Sequence, residues 1–302
     1  MSTGRVVNLD LYSDFISFIR SELTRLGYVS VYSQEDEDIL RIYLDVCKRL
    51  VAPQPRTVHR EKGFSCPARF LRSMAQIEQL VKNGDDITPY LSKRIKRLIY
   101  RDSMLNDWGI HHLHLGDKTR HDGFIGRTGP LLYCRFEQQD AYFLDILPHG
   151  HWTTQTLVTT MHENWPSMLH RYQLHGVRGA RISDLEIKEL RRKNCNYCLE
   201  MADGTVYAPP GGGVVGSGSN VMSVWTEMQI RNLLQQEQDL VRTSIDEIAA
   251  SALEEGVTLP NPANFDLHIL NAQFYAVERD SRVAVCLKAF SQTAIGNDQH
   301  RN

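Results

Sequence analysis

The 302-residue sequence has no run of about eighteen or more apolar residues, so no membrane-spanning helix is expected. Its first residues, MSTGRVVNLDLYSDF, lack an apolar stretch followed by small residues, and they do not read as a secretory signal. Cysteine is sparse. The six, at 47, 66, 134, 195, 198 and 286, show no framework spacing, which argues against a disulfide scaffold and for reduced thiols in the cytoplasm. Several chemistry-bearing patterns are missing too. There is no His-Glu-x-x-His helix, no phosphate loop ending in Gly-Lys-Ser/Thr and no second CxxC to complete the pair Cys195/Cys198. No internal repeat is present.

What is present is an ordinary globular composition, 42% hydrophobic and 23% charged, enough to bury a core. The net charge of −2 conceals a split. From Lys48 to Arg101, thirteen Lys/Arg face four acidic residues, a local +9 that leaves −11 for the rest. A basic third attracts phosphates through a salt-dependent term, or pairs as a solvated face with an acidic partner.

Hydrophobic spacing predicts helices over 10–26, closed by Gly27, over 35–51, over 68–82, and from Thr88-Pro89 to about 105. The last would carry Lys93, Arg94, Lys96, Arg97 and Arg101. Residues 110–115, 131–137 and 141–147 alternate as strands, and 153–172 return to helix, interrupted before Pro166. Ser183 and Glu186 form a capping box, and Asp203-Gly204 turns a hairpin. A glycine-rich stretch, 211–219, reads mainly as a mobile loop and secondarily as a lid or phosphate cradle. A long acidic helix over 221–254, a closing hairpin (265–278 with 282–290) and a frayed tail complete the chain. The expectation is an α+β protein: a basic helical region (1–105), a histidine-rich antiparallel sheet and helix (106–182), and an α+β region with the glycine loop and long helix (183–302).

Nine of the twelve histidines fall between His111 and His175, where an even spread would place two or three. Strand parity sets His111, Leu113 and Leu115 on one face and Ile110, His112 and His114 on the other. The same reasoning puts Leu144 and Ile146 in the core, and gathers His112, His114, Tyr133, Arg135 and Asp145 on an open sheet face. His149 and His151 would stand at its rim, with Arg120, His121 and Arg127 on the loop above. Histidine exchanges protons near neutrality and arginine grips phosphate. Metal-free RNA cleavage needs such a base, acid and cation. His112 and His114 are the expected acid/base pair with Tyr133 beside them. Arg127 and Arg135 would stabilise phosphate charge, and His149 would be a second proton carrier.

The run from Arg127 through Leu131-Leu-Tyr-Cys-Arg-Phe136 to Asp145-Ile-Leu-Pro-His149 resembles the sheet core of RelE/ParE-type toxins, over about residues 108–152. Many of those bacterial proteins are metal-independent endoribonucleases that cut messenger RNA, whereas the ParE branch poisons gyrase. The resemblance implies catalytic or phosphate-binding roles for His114, Arg127, Tyr133, Arg135 and His149. It also implies RNA as partner and an inhibitory partner protein encoded elsewhere.

Two other readings compete. His112, His114, His149 and His151, with Asp145, Asp117 or Asp122, would suit zinc or manganese and a metal-activated water. Alternatively the chain is a non-catalytic nucleic-acid-binding or regulatory adaptor, its phosphates held by Lys93, Arg94, Lys96, Arg97, Arg101, Arg120 and Arg127, and the histidines merely fill polar-rimmed packing sites. The leading expectation is a cofactor-free, RNA-directed ribonuclease with no membrane partner. Its oligomeric state is open.

Overall fold

The structure is a computed structural model and describes residues 4–179, 181–271 and 273–288. In chain order its elements are β1 (Val7–Asn8), α1 (Leu11–Arg25), α2 (Asp36–Arg49), β2 (Thr57–Arg60), α3 (Leu71–Asn83), α4 (Ser103–Trp108), β3 (His111–His114), β4 (Pro130–Phe136), β5 (Asp140–Pro148), α5 (Thr156–Asn164), α6 (Pro166–Leu169), β6 (Gln173–Leu174), α7 (Asp184–Arg192), β7 (Leu199–Glu200), β8 (Val206–Tyr207), α8 (Val221–Thr243), α9 (Ile245–Glu254), β9 (Ala263–Leu270), β10 (Gln273–Glu278) and β11 (Ala284–Cys286). This is the expected α+β class. Among the described residues no helix is long and apolar enough to cross a membrane.

The chain divides into two compact units, and not at the boundaries read from sequence. One comprises the described parts of Met1–Tyr43 and Trp225–Asn302, the other Leu44–Val224. In the first, α1 forms as its spacing predicts, with Leu11, Phe15, Ile19 and Leu23 buried and Asp10 accepting the Ser13 N–H at its start. Its sheet has the order β1-β9-β10-β11, with β1 parallel to β9. The long helix expected over 221–254 is two helices, α8 and α9, parted at Ser244. The hairpin also differs: the span 265–278 is itself folded back at Asn271, and β11 adds to its outer edge. The expected tail and the end of the 282–290 strand lie outside the described residues.

The second unit is built on a sheet of order β2-β5-β4-β3. Only β2 against β5 is parallel, so the sheet is mixed where an antiparallel one was expected. One face packs Leu113, Leu132, Cys134 and Phe143 against Met74, Ile77 and Val81 of α3. The opposite face was expected to be open. It is covered, because Ile110, Leu131, Tyr133 and Leu144 pack with Leu157, Val158 and Met161 of α5, Trp108 of α4 and Ile187 of α7. Each such side chain gains roughly 1.5–3 kcal/mol by leaving water, so a sheet apolar on both faces recruits cover on both. A bulge refines the parity on β5. Tyr133 pairs with Asp145 but Cys134 with Phe143, so Leu144 is extra. Phe143 and Ile146 therefore pack on the α3 side, and Leu144 and Leu147 on the other.

The helix expected from Thr88 to about 105 does not form. Two short 3₁₀ turns, Thr88–Tyr90 and Lys93–Lys96, precede the six-residue α4. The buried residues Leu91, Ile95 and Leu98 imitate a helical repeat while lying on an irregular segment. Elsewhere sequence and structure agree. The Ser183/Glu186 capping box closes α7, the break falls before Pro166, and Asp203-Gly204 turns between β7 and β8.

Candidate functional site

Strand β3 lies at the sheet edge and carries three histidines with different fates. His111 turns with Leu113 towards the α3 side and is sealed, its ring edge-on to Phe136 at 5.5 Å. A weak hydrogen bond to the Lys48 backbone favours its charged form. Burial, with His112 and Lys48 adding repulsion, pushes its pKa down to about 3. His112 and His114 point the other way, into a cavity of about 660 Å³.

Three stretches of the second unit wall that cavity. The irregular segment before α4 brings Arg94, Tyr100, Arg101 and Asp102, and the first residue of α4 brings Ser103. The sheet and its loops bring His112, His114, Arg127, His149 and Trp152, and α7 brings Lys188, Arg191 and Arg192. Trp152 is the spacer between histidines, its ring centroid 4.7 Å from that of His112 and 4.9 Å from that of His149. Arg191 fixes Trp152 from behind. It pairs with buried Asp107 at 2.7 Å, lies over the Trp108 ring at 4.1 Å and donates to the Trp152 carbonyl.

The electrostatics are strongly positive. Arg94, Arg101, Arg127 and Lys188 form no ion pair among the described residues, and Asp102 is the single carboxylate in the wall. Asp102 caps α4 by accepting the Leu105 N–H, and its Oδ2 stands 3.8 Å from Nδ1 of His112, beyond hydrogen-bond range. Burial lowers the His112 pKa against the pull of Asp102, and His149 and Arg94 lower it further. Burial likewise takes His114 down to about 4, helped by His112, Arg127 and His149. Nδ1 of His114 accepts the Thr128 N–H at 3.4 Å, so the neutral ring carries its proton on Nε2. Arg94 also bonds Tyr100, whose hydroxyl burial pushes up to about 12.

Of the residues expected from sequence, His112, His114, His149, Arg94, Arg101 and Arg127 meet in this wall. Tyr133 and Arg135 do not line it. Tyr133 is fully buried behind Trp152, 6.0 Å between centroids, and burial pushes its hydroxyl pKa well up. Arg135 is a structural residue, donating to the carbonyls of Trp108 and Pro210 and pairing with Glu137 at 2.7 Å. Lys93 faces Asp122 at 3.5 Å, Lys96 donates to the Asp122 carbonyl, and Arg97 is exposed. Arg120 lies with Lys93 and Arg127 at a much smaller dent next door. In the metal set, Asp145 folds onto the Ile146 N–H and exposed His151 bonds Thr154, so neither joins the other three histidines. Among the described residues, no three of His, Cys, Asp and Glu group closely enough to hold an ion.

Sequence reasoning missed Tyr100, Asp102, Trp152, Lys188, Arg191 and Arg192. For α7 a signal was available: Lys188, Arg191 and Arg192 recur at helical spacing, with Arg191 one turn on from the buried Ile187. The glycine stretch was also misread, since it is pinned rather than free. Gly211 N–H donates to Asp107 O, Gly213 N–H to Asn106 O, and the Asn220 side chain donates to the carbonyls of Gly211 and Gly213. Comparison with protein families, curated proteins and solved structures returned no match.

Proposed function

We propose that the second unit binds RNA and cleaves its phosphodiester bonds by metal-independent acid/base chemistry in this cavity. The observation carrying the reading is the convergence of His112, His114 and His149 with four cations that form no ion pair among the described residues, on one cavity of about 660 Å³ whose described lining holds a single carboxylate. That lining repels cations and suits an anion flanked by proton carriers. His112 and His114 are held neutral by burial and are suited to accept a proton. His149, the most exposed of the three, would be the second proton carrier.

In the proposed step, one neutral histidine takes the proton of a ribose 2′-hydroxyl. The oxygen attacks phosphorus, a 2′,3′-cyclic phosphate forms, and the departing 5′-oxygen takes a proton from the second histidine. Arg94, Arg101 and Arg127 would offset the charge developing on the phosphoryl oxygens. Three of the five residues implied by the RelE/ParE resemblance, His114, Arg127 and His149, lie in the wall, which supports the same chemistry.

The test is incubation of the purified chain with total cellular RNA, with and without excess EDTA. Cleavage that survives EDTA and leaves cyclic phosphate ends is the expected result. Cleavage only on adding zinc or manganese, or salt-sensitive binding without cleavage, overturns it.

A further inference from the structure

Beside the main cavity lies a smaller one of about 200 Å³, and the two share Arg101, Ser103 and Arg191 as a common wall. Its volume equals that of about seven water molecules, room for one ring system. Most polar groups around it are already engaged. Asn196 exchanges two hydrogen bonds with the Val214 backbone, Asn194 donates to Gly216 O, and Asp107 holds Arg191 and Tyr197. Asn106 is the exception. It is 7% exposed and its backbone is fixed at both ends, yet its side-chain amide makes no hydrogen bond among the described residues. The amide is thus a donor and acceptor pair left over in a pocket wall.

The glycine stretch also acquires a reason. Gly218 adopts φ +83, and a Cβ there would come within 2.6 Å of the Arg101 guanidinium. Glycine at this position leaves room for Arg101 to stand at the junction of the two cavities, where it has no carboxylate partner among the described residues.

We infer that the small cavity is a base-selective subsite for the nucleotide flanking the scissile phosphate: Arg101 holds the linking phosphate and Asn106 reads the base edge. This rests on the RNA reading above. An amide matches adjacent donor and acceptor atoms, and adenine presents that pair at N6 and N7. Unpaired bases of single-stranded RNA can reach such an edge reader, so the substrate class is single-stranded RNA with adenosine beside the cleaved bond.

The test is calorimetric titration of the full chain with uncleavable 2′-O-methyl dinucleotides that differ in one base, and with inorganic pyrophosphate as a base-free probe. The wild-type chain should favour the adenine-bearing dinucleotides by about tenfold. Asn106→Ala should erase that preference and leave pyrophosphate affinity unchanged. Cys195→Trp, a change at an exposed position lining the same pocket, should do the same, which keeps the test open if Asn106→Ala fails to fold. A preference for another base, or one that survives both substitutions, overturns the inference. Dinucleotide binding without any base preference overturns the subsite alone, while binding of neither probe overturns the RNA reading with it.

Discussion

The two faces of the β2-β5-β4-β3 sheet carry histidines from the same four-residue strand, and they treat them in opposite ways. On the α3 side His111 is sealed, its ring edge-on to Phe136 and close to the Lys48 backbone. On the other side His112 and His114 line a cavity crowded with arginines. All three are driven towards the neutral form by burial, so a depressed pKa by itself does not distinguish a packing residue from a chemical one. The surroundings do: His112 and His114 have open space and a third histidine in front of them, and His111 lines no such cavity.

The largest effect that sharpens this contrast is on cleavage. His114→Ala and His112→Ala should each reduce RNA cleavage by roughly 10²–10⁴-fold, the range for loss of one proton carrier. His111→Leu should leave the rate within about twofold. Gel assays on the three variants, with circular dichroism to check folding, decide it. Equal losses for His111→Leu and His114→Ala would erase the distinction between the faces.

A smaller effect concerns the cations. Arg101→Ala and Arg127→Ala should weaken RNA binding and each reduce the slope of log affinity against log salt by about 0.7, the value for one phosphate contact on a single strand. Lys93→Ala, whose charge is already answered by Asp122, should change the slope much less. Fluorescence anisotropy across a salt series measures this. A slope lost at Lys93 but kept at Arg101 and Arg127 would place the contact outside the cavity.

The smallest effect is on stability. Folded pKa values of about 3 for His111 and about 4 for His114 lie below the unfolded value near 6.5. The unfolded chain therefore binds more protons as pH falls, so this contribution is intact above about 6.5 and is lost through 4 towards 3. His111→Leu should flatten that acid limb and change stability at neutral pH by no more than about 1 kcal/mol. Thermal melts from pH 7 to 4 test it. An unchanged acid limb would mean His111 does not stay neutral in the fold.

Much of this site was legible in the sequence because it lies on a short alternating strand. Parity alone separated His111 from His112 and His114, and it holds in the structure. Local signals were equally readable at the start of α1, at the Ser183 capping box and at the Asp203-Gly204 turn. What failed were inferences needing knowledge of distant partners. Arg135 sits on a strand like a surface residue, but the carbonyls that claim it come from Trp108 and Pro210. The spacing of Leu91, Ile95 and Leu98 reads as helix, but tertiary burial holds it as turns. The extra residue at Leu144 shifts strand β5 by one, which alternation cannot foresee. The contribution of α7 to the cavity depends on Arg191 finding Asp107, 84 positions away.

The most direct test of the central claim follows the histidine rings themselves. Nitrogen-15 NMR of the labelled chain would be recorded during titration with an uncleavable 2′-O-methyl oligonucleotide, with each ring assigned through its alanine or leucine variant. An anion seated among the cations should shift the His112, His114 and His149 rings and raise the pH at which His114 titrates, leaving His111 unmoved. Unperturbed cavity rings at saturating oligonucleotide, or a change at His111 as large as theirs, would contradict the account.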